Sequence, residues 1–258
     1  MKKISLLSLV FCLIAFAVSA QAPWRSQKRQ VSSISFSLSP FSERLAGLSK
    51  DDILGLIKDP NDRLDMSGFT KANYFSTEMT GANINFGLGF ARPIRTNLLE
   101  EVQIGLSMQT GGELVLDYNS IEESSEDPFN QPFNNTIGLC YMSNRIGLSL
   151  GYKLKGYSRK SSITFGPSVT AAKTFNDVVI FLGGSSPNGE DMVDARSSTV
   201  TNFHFEMDYT HKLIENLALK IGGRYGYTYF ISPNNENSLG TNWSMGFGLE
   251  YQFFRNKF

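Results

Sequence analysis

Between Thr241 and Phe253 the chain alternates without a break. Trp243, Met245, Phe247, Leu249, Tyr251 and Phe253 share one face, and Asn242, Ser244, Gly246, Gly248, Glu250 and Gln252 share the other. Side chains on a strand point to opposite faces with a period of two, so this segment presents one wholly apolar and one wholly polar surface. A soluble strand can do the same. The position of the segment, at the end of a chain that opens on an export signal, points instead to lipid on the apolar side and enclosed polar groups on the other.

That export signal is explicit. Met1, Lys2 and Lys3 make a positive start, Ile4 to Val18 is apolar apart from Ser5 and Ser8, and Val18-Ser19-Ala20 is a small-residue cleavage pattern. Residues 1–20 are therefore predicted to be a secretory signal peptide, and 21–258 one large domain. The apolar run is shorter than the ~18–20 residues of a membrane-spanning helix, and no other run is long or apolar enough to be one. Phe11 is too large to precede a lipidated Cys12. Cleavage removes Lys2, Lys3 and Cys12, which leaves a slightly acidic chain with Cys140 as its one cysteine. This argues against a nucleic-acid partner and excludes an intramolecular disulfide.

Similar alternation recurs upstream. Ile34, Phe36 and Leu38 oppose Ser33, Ser35 and Ser37, and Ile84, Phe86, Leu88 and Phe90 oppose Asn83, Asn85, Gly87 and Gly89. Further strands are predicted over Leu99–Gln109, Ser161–Thr174, Thr199–Thr210 and Leu217–Phe230. Across Ser143-Asn144-Arg145 the apolar parity changes from odd (Ile137, Leu139, Tyr141) to even (Ile146, Leu148, Leu150), so either a turn or a bulge is expected there. Ser49 precedes Lys50-Asp51-Asp52-Ile53-Leu54, an N-capped helical turn ended by Pro60 and placed on a loop against the rim. Loops are expected to begin near Pro40, Gly111, Phe175 and Ile231, and short turns at Arg92–Asn97, Gly156–Lys160 and His211–Asn216. With a bulge near Asn144, long loops and short turns segregate to opposite ends. The expected fold is then an all-β, transmembrane antiparallel up-and-down β-barrel of eight strands.

The polar face carries glycines at Gly87, Gly89, Gly105, Gly166, Gly222, Gly226, Gly246 and Gly248, as a narrow interior requires. It also carries both signs of charge: Glu206, Asp208, Lys220, Arg224 and Glu250, with Lys153 further round. These are expected to form a structural network inside the barrel, with Asp208 or Glu206 opposite Lys220 and Glu250 a diagonal step from Lys220 and Arg224. Tyr225, Tyr227, Tyr229 and Trp243 are assigned to one aromatic girdle, and Tyr251 and Phe253 to the other.

On these residues the chain resembles the small, porin-like outer-membrane β-barrel proteins of Gram-negative bacteria, particularly those of the Bacteroidota. The likeness rests on the signal peptide, the Ser162–Val169 and Leu217–Tyr227 strands, and the terminal Gly246–Phe253. It implies residence in the cell outer membrane, contact with outer-membrane lipid, and insertion by the barrel-assembly machinery, which would read an aromatic end at Phe253 or Phe258.

Function is less constrained by these patterns. The leading expectation is a non-enzymatic membrane protein with a structural or loop-mediated role; a narrow pore for small solutes or ions comes second, and a lipid-modifying enzyme third. His204, placed across from Arg224, and His211 are the only histidines, and no spacing suggests a catalytic arrangement, a metal site or a cofactor. The acidic stretch Glu122–Asp127 is expected to be solvated surface.

Overall fold

The computed structural model describes residues 30–46, 52, 54–59, 74–95, 97–112, 115–120, 135–158, 160–182, 192–231 and 237–253. The predicted signal peptide, Ser49, Glu122–Asp127 and Phe258 lie outside these residues. Strands are β1 (Gln30–Ala46), β2 (Tyr74–Ser76), β3 (Glu78–Arg95), β4 (Leu98–Gly111), β5 (Val115–Ser120), β6 (Asn135–Tyr157), β7 (Ser161–Leu182), β8 (Met192–Asp194), β9 (Thr199–Lys212), β10 (Leu217–Ile231) and β11 (Asn237–Gln252).

Strand order β6-β4-β3-β1-β11-β10-β9-β7 is closed by pairing of β6 with β7, which makes an eight-stranded antiparallel barrel. Closure leaves the wall without a free edge, so its backbone donors and acceptors are paired around the ring. The short β5 and β8 extend the tall ends of β6 and β7, and β2 pairs with β5. The three short turns join β3 to β4, β6 to β7 and β9 to β10, at the end where β1 starts and β11 stops. All longer connections leave from the opposite end.

Outward-facing side chains are apolar and exposed around the wall. Leu148 is 68 % exposed, Phe247 60 %, Trp243 51 % and Ile104 48 %, a surface that water would not tolerate at this extent. From Trp243 to Phe253, at ~3.4 Å per residue and a tilt of ~40°, the apolar face of the last strand covers about 25 Å along the axis, the height of an outer-membrane barrel's lipid band.

The strands run further than their alternation predicts. β1 continues through Pro40 to Ala46; proline cannot donate, and the ladder to β11 skips from Leu38↔Phe247 to Phe41↔Ser244 there. The expected loop from Phe175 is instead the continuation of β7 to Leu182. No turn interrupts β6, and the irregularity lies in its neighbour: between Met142↔Val178 and Asn144↔Phe175 the β7 strand carries one extra residue, with Asn176 at φ 49°. Asparagine tolerates this left-handed conformation better than most residues. Asp177 secures the bulge by accepting from the Tyr141 hydroxyl at 2.6 Å and the Asn144 amide at 3.2 Å.

The parity change read at Ser143–Arg145 therefore has a different cause. Odd positions of β6 from Tyr141 to Lys155 face inward, so Tyr141, 1 % exposed, points into the interior like Arg145 and Lys153. What changes is the solvent on each side. Near the long-loop end Phe41, Leu45, Met79, Val179, Val193, Val200 and Phe230 are buried, while Arg44, Glu78, Thr110 and Lys173 face out. Below this level the wall is apolar outside and polar inside. Above it the pattern is that of a water-soluble sheet with an apolar core.

Candidate functional site: the filled lumen and the long-loop mouth

Inward positions of the wall build three layers of polar contacts. Nearest the short turns, Lys155 Nζ lies 2.6 Å from Glu250 and 3.7 Å from Glu101. Gln252 and Gln103 donate to the same two carboxylates at 2.9 and 2.6 Å. In the middle layer Lys153 contacts Glu206 and lies 3.3 Å from Asp208, while Lys220 reaches Asp208 at 2.9 Å. Ser168 completes the Glu206 environment by donating to it at 2.6 Å.

The third layer lies toward the long-loop mouth. Arg145 donates through both terminal nitrogens to Glu43, at 2.9 and 3.1 Å, and both side chains are 1 % exposed. This fork-to-fork geometry is the strongest arrangement open to an ion pair. Thr228 donates to Glu43 at 3.2 Å and to Asn202 at 2.8 Å, and Asn242 links Asn202, Thr228 and His204. The layer thereby ties β1, β6, β9, β10 and β11 together across the lumen.

Of the five charges assigned to the interior, Glu206, Asp208, Lys220 and Glu250 make ion pairs there. Arg224 differs: its register partner is Glu206, yet among the described residues no carboxylate comes within 4.0 Å of it. Asp208 stands opposite Gly222 and Thr210 opposite Lys220, so neither Asp208 nor Glu206 is Lys220's direct partner, and Asp208 reaches it diagonally. Glu250 is diagonal to Lys220, which pairs with Gly248, but remote from Arg224, which pairs with Ser244. His204 lies opposite Gly226, one diagonal step from its expected place. His211 faces out beside Tyr209. Among the described residues no three His, Cys, Asp or Glu are arranged to hold a metal ion.

Sequence reasoning missed Lys155, Glu101, Arg145 and Glu43. The signal for three of them was parity: Arg145 and Lys155 share the face of Lys153, and Glu43 shares that of Ser33, Ser35 and Ser37. Glu43 follows Pro40, where a loop is expected, and Arg145 lies at the expected turn or bulge, which hid it.

Two cavities of about 30 and 50 Å³ lie in the lumen, and Glu206 and Arg224 line both, so this pair stands between them. A water needs ~10–15 Å³ of such space, so the cavities suit a few waters each. At the mouth, the segment around Leu54 to Lys58 is more than a turn resting on the rim. Ile57 forms a bridge with Ala195, Arg196 N donates to Leu56 O at 2.7 Å, and Lys58 N donates to Asp194 O at 2.9 Å. Leu54, Leu56 and Ile57 are buried by this addition to the edge beyond β8.

No family model matches the sequence, and no curated protein matches it. Among solved structures, Neisserial surface protein A is similar with 12 % identity over 85 % of this chain and 97 % of that one, at a TM-score of 0.41. The outer-membrane protease OmpT from Escherichia coli shows 9 % identity over 89 % and 99 %, at 0.40. OprG, an outer-membrane protein from Pseudomonas aeruginosa, shows 10 % over 89 % and 99 %, at 0.30. Likenesses at this level transfer neither activity nor residues, and the closed barrel is read from its own strand pairing.

Proposed function

We propose that this chain is an integral outer-membrane protein, a filled, non-conducting barrel that works from its long-loop end, as structural support or by contacting a partner. The single observation that carries this is the occupied lumen. The Arg145–Glu43 layer spans the interior from β6 to β1, and the two cavities described below it are sized for a few waters each. The apolar wall supplies the membrane part of the reading, with lipid as its environment and the barrel-assembly machinery as its route of insertion. The narrower likeness to Bacteroidota barrels rests on the sequence patterns alone.

Two measurements test it. In a Trp24→Phe background, so that Trp243 alone reports, lipid-attached quenchers in reconstituted vesicles should strongly quench fluorescence; a response as weak as that of a water-facing tryptophan would defeat the membrane assignment. Single-channel recording of the same preparation should show no discrete openings. Steady openings would favour a narrow pore, for which the two cavities flanking Glu206 and Arg224 are the nearest thing to a path. The layers also favour a non-enzymatic role, since most of the described lumen acids and bases are engaged with one another in ion pairs.

A further inference from the structure

The short-turn rim carries Arg92, Arg95, Lys160 and Lys212 against the acids Glu100 and Glu215 among the described residues, and is partly greasy. Arg92 is held on the outer wall by Glu100, 2.6 Å away, whose other oxygen accepts from the Tyr152 hydroxyl at 2.9 Å. Arg95, Lys160 and Lys212 have no carboxylate within 4.0 Å among the described residues. Lys160 and Lys212 sit on adjacent turns, joined by a 2.8 Å bond from Lys212 N to Lys160 O. Between these cations Ile94, Leu213 and Ile214 are 48, 55 and 67 % exposed. The opposite end has the reverse character: the connection 112–134 carries Glu113, Asp117, Glu122, Glu123, Glu126 and Asp127 and no Lys or Arg.

We infer that the short-turn rim is a collar for anionic phospholipid headgroups, an inference that rests on the membrane reading above. Depth is the first argument. Arg92 follows Phe90 on the same outward face, and Lys212, on the inward parity of Asp208 and Thr210, ends β9 one residue past the outward Tyr209 and His211, so the cations lie at the level where the aromatic edge of the apolar band ends. That is the level of lipid phosphates, where a basic residue gains roughly fivefold in affinity for an anionic surface. Composition is the second. A soluble polyanion would select cations alone, whereas exposed Ile94, Leu213 and Ile214 suit a surface with hydrocarbon just beneath its charge. Arg92 adds a fixed point, because Glu100 uses one edge of its guanidinium and leaves other donors for a phosphate.

The test reconstitutes the full chain into vesicles of equal phosphatidylcholine and phosphatidylglycerol with matched acyl chains. The protein is then extracted in mild detergent, and the retained lipids are counted by native mass spectrometry. Wild type should retain phosphatidylglycerol over phosphatidylcholine by roughly fivefold or more. The triple variant R95Q/K160Q/K212Q should lose most of that preference while keeping its folded mobility on unheated gels. A wild-type barrel that inserts but retains both lipids equally, a preference untouched in the variant, or sedimentation with purified peptidoglycan sacculi in place of a lipid preference would each overturn the collar alone. Failure to insert into either lipid would overturn the membrane reading along with it.

Discussion

Replacing Glu43 by Ala should lower the folding free energy by about 3–5 kcal/mol, because it strands the Arg145 guanidinium, 1 % exposed, without a counter-charge. Thr228 loses an acceptor at the same time. The loss does not measure the worth of the pair, since two charges taken from water recover much of their hydration only through each other. Hence the double variant E43L/R145M should be far milder than either single change, and its stability should return to within about 1–2 kcal/mol of wild type. Urea titration in lipid vesicles, followed by tryptophan fluorescence and by mobility of unheated samples on gels, measures both. A single-variant loss below about 1 kcal/mol would mean that water reaches Arg145 from the mouth. The filled-lumen reading would then fail at its strongest point.

Gly226→Val should be as damaging, by about 3 kcal/mol or more, for a steric reason. A Cβ on Gly226 would be driven into the Phe203 carbonyl oxygen and would stand 2.8 Å from His204 Cα, both backbone atoms of the paired β9 strand. A flexible side chain could swing aside; a backbone held in a closed ring cannot without opening ladder bonds on both sides. Gly223→Ala, on the outer face of the same strand with its nearest obstacle at 3.5 Å, should change stability by less than about 1 kcal/mol. Equal behaviour of the two variants in the same urea titration would show that β9 and β10 have room to separate.

This contrast also separates what alternation conveys from what it cannot. Gly226 and Gly222 were recognisable as inward-facing small residues from their parity in Leu217–Phe230. What each one accommodates, the Phe203 carbonyl at Gly226 and the Asp208 carboxylate at Gly222, depends on the register of β10 against β9, and no feature of either strand alone specifies it. The same holds for the charges. Glu206, Asp208, Lys220 and Glu250 were legible as interior because their neighbours alternate, but Lys153 and Lys155, which pair with the three carboxylates, come from β6. Arg224 carries the right charge and the right parity and still has no carboxylate within 4.0 Å among the described residues, since lateral register and side-chain reach decide that.

By itself, then, the order of residues determined the closed all-β wall, its eight crossings, the segregation of short turns from long connections, and which face meets lipid. Each of these follows from a period of two read against apolar and polar solvents. Tertiary structure alone decided how far the strands rise beyond the apolar band and what occupies the middle. Tyr141 is apolar enough to pass for a lipid-facing residue, but its environment is set by height. Where water replaces acyl chains outside, the inside becomes the greasy place, and one uninterrupted strand then reads as two opposite patterns.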